Sequence, residues 1–241
     1  MINLLIDIGN SAVKASYARG TVLEEVIRYT GEDVCGFISS LAKRTRVGVI
    51  AISSVRREGA QFFKDLESVC DKLIVVDRVT DLPVVNRYSS PETLGSDRIL
   101  SAVAATHIFP GKDVIIFDFG TALTIDFVSG NREYLGGNIS PGLRSRFRAL
   151  NDYTQLLPLL DNPSDIVDVG GTTKEAIESG VVLGLIFEVD GYIKEYPNHI
   201  YIFTGGDAIY FAEKLKSSIF VVYNLVLMGL ARVAENYAKS E

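Results

Sequence analysis

The chain has 241 residues, of which 47% are hydrophobic and 22% charged, as in a globular protein of one large domain or two small ones. The formal net charge of −6 at pH 7 argues against nucleic acid as a partner, because an acidic surface repels phosphate backbones. Residues 1–7 lack the basic start of a signal peptide, and no apolar run reaches the ~18 residues of a membrane span. We therefore expect no membrane partner.

Cysteine and histidine are scarce, which limits the chemistry available. Cys35 and Cys70, with no sign of secretion, favour reduced thiols in a cytoplasmic protein. His107 and His199 have no metal-ligand spacing around them, which argues against a zinc site and against a Ser-His-Asp hydrolase. An anionic substrate would need local donors, since the overall field is negative.

Hydrophobic periodicity predicts strands and helices in alternation along the chain. Strands are predicted at 3–7, 12–18, 47–52, 72–76, 114–118, 122–128, 133–135, 199–204 and 219–222. Helices are predicted at 58–69, 97–108, 143–150, 172–192, 207–215 and 224–237. Loops are predicted at 82–95 and 136–142, and a break at Pro110-Gly111-Lys112 separates two similar halves.

A short pattern occurs twice and indicates two lobes. A strand, Asp-x-Gly, a small polar residue and a second strand follow one another at Asp7 and again at Asp118. Strand and helix patterns follow both copies, so we predict two similar α/β lobes, 1–111 and 112–241, joined near Pro110. No low-complexity linker separates them, which favours lobes that pack tightly with a cleft between them.

Each Asp-x-Gly turn has the chemistry of a phosphate site. Ligands of open α/β folds bind at the carboxyl ends of strands, and glycine lets backbone N–H groups approach a phosphate. Ser11 or Thr121 adds a hydroxyl donor, and Asp7 could hold Mg²⁺ through water. The alternative is a pair of plain hairpin turns. Two copies in matched contexts favour the phosphate interpretation.

Two further motifs add to this pattern. The sequence Thr-Gly-Gly-Asp-Ala at Thr204–Ala208 would let a flat or phosphorylated ligand lie against a helix start, although alone it is also a plain turn with Asp207 as N-cap. Asp97 at a predicted helix start could act as general base, with Arg98 beside it to bind a carboxylate or phosphate. The alternatives are a helix N-cap and a surface ion pair.

Taken together, the motifs resemble the superfamily of sugar kinases, heat-shock ATPase chaperones and actin, and within it the type III pantothenate kinases. The resemblance extends from Ile6 to about Gly229. The motifs that carry it are Asp7–Ser11 with Lys14, Tyr88 with Pro91 and Leu94–Arg98, Asp118–Asp126, Gly136–Gly142, and Thr204–Ala208. The resemblance implies an α/β fold of two ribonuclease-H-like, actin-like ATPase lobes facing across a nucleotide cleft. It also implies ATP-dependent phosphorylation of pantothenate to 4'-phosphopantothenate, the first step of coenzyme A synthesis.

The resemblance also assigns roles to residues. Asp97 would be the general base, and Asp118 would bind a monovalent cation, K⁺ or NH₄⁺, which the family uses beside Mg²⁺. Thr173 would contact substrate across a homodimer interface. Tyr88 would close over the substrate, with Arg98 near its carboxylate. The implied ATP site is Asp7, Ile8, Gly9, Asn10, Ser11, Ala12, Val13, Lys14 and Thr121. The implied pantothenate site is Tyr88, Gly95, Ser96, Asp97, Arg98 and Thr173.

The sequence departs from the family pattern at two positions. Ser11 replaces the more usual Thr but keeps a hydroxyl, and Ser96 stands where Ala is more common. A separate feature is a basic run on the helix after Pro141-Gly142, for which a solvated helix face is the favoured interpretation. The run consists of Arg144, Arg146 and Arg148.

Two other functions stay open. A regulatory or accessory relative would be favoured by loss of Asp7, Asp97 or Asp118, and all three are present. Another enzyme of the superfamily, a polyphosphate phosphatase or a different small-molecule kinase, would keep the phosphate turns but lack the segment from Tyr88 to Arg98.

Overall fold

The structure is a computed structural model that describes residues 2–239, and its fold is α/β. The strands are β1 (Ile2–Ile8), β2 (Val13–Arg19), β3 (Val22–Leu23), β4 (Ile27–Tyr29), β5 (Val47–Ser54), β6 (Lys72–Val75), β7 (Val85–Asn86), β8 (Val114–Phe119), β9 (Ala122–Ser129), β10 (Glu133–Pro141), β11 (Ile200–Gly205) and β12 (Ile219–Val221). The helices are α1 (Val34–Ala42), α2 (Ala60–Glu67), α3 (Ser96–Ile108), α4 (Leu143–Asp152), α5 (Thr173–Glu195), α6 (Ala208–Ala212) and α7 (Leu225–Lys239). None of the helices in this described range is long and apolar enough to cross a membrane.

The chain divides into two compact units. The first contains the chain up to Gly111, the segment Val128–Gly136, and the chain from Asn224 onward. The second contains Lys112–Phe127 and Gly137–Tyr223. The predicted lobes, 1–111 and 112–241, stay a prediction. Like the predicted lobes, the two units divide after Gly111. Unlike the predicted lobes, the first unit also contains α7 and the end of the β9–β10 hairpin.

The sheet of the first unit has the strand order β3-β2-β1-β5-β6, and β4 also pairs with β2. β1 runs antiparallel to β2 and parallel to β5, which in turn runs parallel to β6. Leu4, Ile6 and Ile8 pack with α1 and α2, whereas Leu5 packs with α3 and α7. Because both faces are covered, the central strands read as continuous apolar runs.

Helices α3 and α7 approach each other closely in the first unit. A Cβ atom added at Gly229 of α7 would lie 2.1 Å from the carbonyl oxygen of Leu100 of α3. Leu100 is fully buried, together with Leu227 and Leu230 of α7. Glycine is therefore required at this position to fix α3, the helix that carries the predicted general base in its first turn.

The second sheet has the strand order β12-β11-β8-β9-β10-β7, and β11 runs parallel to both β8 and β12. Its β7 end pairs with the first residues of β10, and both of these segments belong to the first unit. The core of the second unit is aromatic at the end of β8. The ring of Phe119 lies 4.8 Å from the rings of Phe203 and Phe211, and α5 packs on the same cluster.

Most of the predicted elements are confirmed, with ends shifted by a few residues. The predicted loop at 136–142 is wrong, because β10 continues to Pro141. Gly136 adopts φ +114° within the strand, and a Cβ there would lie 3.4 Å from the ring of Tyr88. The helix predicted at 207–215 is shorter, since α6 ends at Ala212 before the chain turns towards β12. The predicted loop at 82–95 contains the short strand β7, and no prediction covered α1, β3 or β4.

Candidate active site

The first predicted phosphate turn lies at the carboxyl end of β1. Asp7 is half-buried and is in register with Lys14 of β2 on one side and Ser53 of β5 on the other. The turn is closed by a hydrogen bond of 3.1 Å from the Gly9 amide to the Ala12 carbonyl. Its tip is exposed, so its backbone groups are accessible to a ligand.

Arg56, which the sequence analysis did not single out, forms hydrogen bonds with the backbone of this turn. The Arg56 side chain donates from Nε to the Gly9 carbonyl at 2.8 Å and from Nη2 to the Asn10 carbonyl at 3.1 Å. The Val55 amide also donates to the Ile8 carbonyl at 3.1 Å. The segment that follows β5 thus fixes three consecutive carbonyls of the turn. Because Arg56 contacts backbone far away in sequence, spacing alone gives no signal for it.

The predicted general base is at the start of α3, near the same sheet edge. The Ser96 and Ser53 hydroxyls lie 2.9 Å apart, and Ser53 is the fully buried neighbour of Asp7 in β5. The Arg98 amide donates to Oδ1 of Asp97 at 2.9 Å, and a Cβ at Gly95 would lie 2.4 Å from that oxygen. The carboxylate is therefore folded over the helix start, and a side chain at position 95 would require it to move.

Arg98 is buried against two aromatic rings of the first unit. Its guanidinium carbon lies 5.9 Å from the ring centroids of both Tyr88 and Tyr134, and its residue is only 7% exposed. Such stacking stabilises a cation away from bulk water. The two rings lie 6.1 Å apart, and the Tyr88 ring covers Gly136. Tyr88, Gly95, Ser96, Asp97 and Arg98 are thus in one unit with Asp7–Lys14.

The remaining predicted residues lie in the second unit. Asp118 is half-buried at the end of β8, and Thr121 follows in an exposed turn. The Thr121 carbonyl accepts hydrogen bonds from the Gly142 amide at 3.0 Å and the Ser145 hydroxyl at 2.6 Å. A Cβ at Gly142 would lie 2.2 Å from the Gly120 carbonyl oxygen. The start of α4 therefore supports the second predicted phosphate turn.

The Gly-Gly motif packs directly on the same turn. Gly205 has φ +92°, and a Cβ there would lie 2.4 Å from Oδ1 of Asp118. The Asp207 amide donates to the Phe119 carbonyl at 3.2 Å. Burial raises the pKa of the Asp207 carboxyl, and the nearby positive charge of Arg144 partly offsets that increase. The motif thus holds a backbone arrangement around Asp118 that another residue at Gly205 would disturb.

Thr173 is exposed at the first turn of α5 in the second unit. Thr172 before it caps the helix in a capping box with Glu175. The basic run on α4 is split: Arg144 and Arg148 are exposed, as predicted, whereas Arg146 is half-buried. Arg146 donates to the Pro141 carbonyl at 2.8 Å and pairs with Glu188 of α5.

The acidic residues of the candidate site suit a partly hydrated Mg²⁺ ion better than a metal ion enclosed by protein ligands alone. Across residues 2–239 no three His, Cys, Asp or Glu side chains cluster closely enough to hold a metal ion. Mg²⁺ needs no such cluster, because it keeps part of its water shell and binds through one or two carboxylates plus substrate phosphates. Asp7, half-buried near the end of β1, meets that requirement.

A family model described as type III pantothenate kinase matches residues 3–195. The chain belongs to the type III pantothenate kinase family. The type III pantothenate kinase of Phocaeicola vulgatus is 40% identical over 236 residues, which cover 96% of this chain and 97% of the relative. The type III pantothenate kinase of Flavobacterium johnsoniae is 38% identical over 237 residues, covering 95% and 96%.

A solved structure shows the fold class. The ROK hexokinase from Thermus thermophilus is 13% identical, with a TM-score of 0.54 and coverage of 100% of both chains. This likeness confirms the predicted α/β fold of two ribonuclease-H-like lobes, the fold of actin-like ATPases and ROK sugar kinases. Membership of the type III pantothenate kinase family makes the chain a phosphotransferase.

Proposed function

We propose that this protein phosphorylates pantothenate with ATP to give 4'-phosphopantothenate, the first step of coenzyme A synthesis, and that Asp97 is its general base. Family membership over nearly the whole chain gives the reaction. One observation carries the residue assignment. Ser53 connects the first phosphate turn with the predicted general base. It is the register neighbour of Asp7, and its hydroxyl forms a hydrogen bond with that of Ser96, the residue before Asp97.

On the acceptor side, the pantothenate hydroxyl oxygen attacks the γ-phosphorus of ATP. The hydroxyl proton passes to the Asp97 carboxylate, the bond to the β–γ bridging oxygen breaks, and ADP leaves. The Arg98 guanidinium, which lies beside two aromatic rings, would attract the pantothenate carboxylate. Tyr88 would close over the bound substrate, and Gly95 and Ser96 would line the site.

On the nucleotide side, the loop from Asp7 to Lys14 would bind the ATP phosphates through backbone N–H groups, the Ser11 hydroxyl and the Lys14 ammonium. Thr121 would contribute a second hydroxyl donor. Donors fixed before the reaction stabilise charge that develops on the phosphoryl oxygens without further reorganisation. The hydrogen bonds that hold both turns support this assignment.

Two cations belong to the proposal. Mg²⁺ bound with ATP would neutralise phosphate charge, and Asp7 would hold it through water. Asp118 would bind a monovalent cation, K⁺ or NH₄⁺, beside the nucleotide. A net charge of −6 supports a need for such cations, since an acidic protein must bind a polyanion.

The proposal also includes a homodimer, in which Thr173 of one subunit contacts the substrate of the other. The exposure of Thr173 at a well-capped helix start supports a role at a subunit surface. A cytoplasmic location is part of the proposal and is supported by the free thiols of Cys35 and Cys70.

A panel of acceptors tests the function. The purified protein is incubated with ATP and Mg²⁺, with and without K⁺ or NH₄⁺, and with pantothenate, glucose, N-acetylmannosamine or water as acceptor. We expect ADP release that needs pantothenate and a monovalent cation, with phosphopantothenate as product. Preferred transfer to a sugar would indicate another small-molecule kinase. Binding of ATP with no transfer to any acceptor would indicate a regulatory relative.

A further inference from the structure

Arg56 lies outside the first phosphate turn, but its side chain forms hydrogen bonds with the backbone of that turn. It lies just after β5, and Ser54 holds its backbone: the Ser54 hydroxyl accepts from the Arg56 amide and donates to the Arg56 carbonyl, both at 3.1 Å. From this fixed base its side chain reaches the Gly9 and Asn10 carbonyls. The turn is thereby tied to a central strand of the sheet.

The direction of these bonds sets the direction of the neighbouring amides. Each peptide unit is planar and trans, so its C=O and the N–H of the next residue point to opposite sides. Because the Gly9 and Asn10 carbonyls both point at one guanidinium, the amides of Asn10 and Ser11 point away from it. Two successive N–H groups on one side of a turn form a concave site that binds anions.

The charge of Arg56 adds to this effect. Within residues 2–239 no carboxylate forms a salt bridge with Arg56, and its two acceptors here are neutral carbonyls. Its positive charge therefore lies next to the turn without a paired carboxylate among the described residues. Arginine suits this role better than lysine, since its planar fork presents two donors in fixed geometry to two acceptors.

We propose that Arg56 is a positioning residue for the phosphates of the nucleotide. It holds the Gly9 and Asn10 carbonyls so that the amides of Asn10 and Ser11 face an anion. The inference rests on the proposed function, in which this turn binds ATP. Arg56 acts on ATP affinity through the turn and has no part in binding pantothenate.

Titration calorimetry of ATP and of adenosine, in Mg²⁺, tests this role on the full-length protein. Arg56→Met removes both donors and the charge, and Arg56→Lys keeps the charge but not the fork. Arg57→Met is the matched control, because Arg57 is exposed and lies next in the chain. We expect Arg56→Met to weaken ATP binding about tenfold, equal to about 1.4 kcal/mol, with adenosine affinity unchanged. Arg56→Lys should be intermediate, and Arg57→Met should change affinity by less than about twofold.

The outcomes separate a positioning role from a merely structural one. Equal losses for ATP and adenosine, or ATP affinity kept in Arg56→Met, would overturn this inference alone. A wild-type protein that binds no ATP would overturn the proposed function as well. If Arg56→Met does not fold, Arg56→Lys decides: wild-type ATP affinity in that variant overturns the role of the fork. A KM for pantothenate that rises with the KM for ATP would also contradict the assignment.

Discussion

Replacing Gly229 with alanine should destabilise the first unit and slow the reaction together. The added Cβ would lie 2.1 Å from the Leu100 carbonyl oxygen and 2.8 Å from its carbonyl carbon. These are backbone atoms of a helix, so no side-chain rotation can relieve the overlap. Helices α3 and α7 must move apart by about 1 Å to reach van der Waals contact, which opens the packing around them.

The expected cost is at the upper end for overpacking, about 3 kcal/mol of unfolding free energy. For a chain of this length that corresponds to a fall in melting temperature of about 6 to 12 °C. Because α3 begins at Ser96 and carries Asp97 in its first turn, its displacement also moves the proposed base. A misplacement of about 1 Å can cost on the order of 100-fold in rate. The variant should therefore have a lower kcat than wild type even at temperatures at which it is fully folded.

The assays are thermal unfolding by circular dichroism and kcat at a temperature at which both proteins are folded. Gly191→Ala in α5 is the matched control, because Gly191 is exposed and nothing lies within 4 Å of its added Cβ. That variant should gain about 0.5 to 1 kcal/mol from reduced backbone entropy. If Gly229→Ala melts at or above the wild-type temperature, the close approach of α3 and α7 does not hold.

Three further changes have defined outcomes. Ser96→Ala removes the partner of a buried hydroxyl in β5 and should cost about 1 kcal/mol by urea unfolding, so an unchanged midpoint would contradict the bond. Gly205→Ala should cost about 1 to 3 kcal/mol by urea unfolding and weaken activation by K⁺, because it strains the backbone and crowds Asp118. The same substitution at Gly206, which has open space around it, should have little effect, and equal effects would refute the argument. Burial raises the pKa of Asp207, so ionisation destabilises the folded state as pH rises. The stability of Asp207→Asn relative to wild type should therefore increase as pH rises above the ordinary carboxyl pKa of about 4, and a pH-independent difference would contradict this.

The strands that carry the proposed chemistry could be predicted from sequence because each is an apolar run that ends in an acidic residue. β1 and β8 both have this form, and a glycine follows each at the turn. Such a pattern is local, and the burial of both faces makes it continuous. The start of α3 was equally clear, since apolar residues at helical spacing begin just after Asp97, at Ile99, Leu100, Val103 and Ala104.

The contacts that support the site could not be predicted in the same way. The hold of Arg56 on the first turn and the bond of Ser96 to β5 join residues more than forty positions apart. The continuation of β10 through Gly136 was missed because glycine pairs favour loops, whereas here Gly136 adopts φ +114° within the strand. Sequence spacing carries no information on such contacts, since tertiary packing creates them.

The most direct test of the central claim is the single-turnover rate of phosphate transfer from ATP to pantothenate, in wild type and in Asp97→Asn. Asp71→Asn, at an exposed carboxylate, serves as control. The account predicts phosphopantothenate from wild type and from Asp71→Asn, and a rate lower by about 100- to 10,000-fold in Asp97→Asn. The affinity of Asp97→Asn for ATP should equal that of wild type. Transfer at the wild-type rate by Asp97→Asn would contradict Asp97 as the base, and no transfer by wild type would contradict the function.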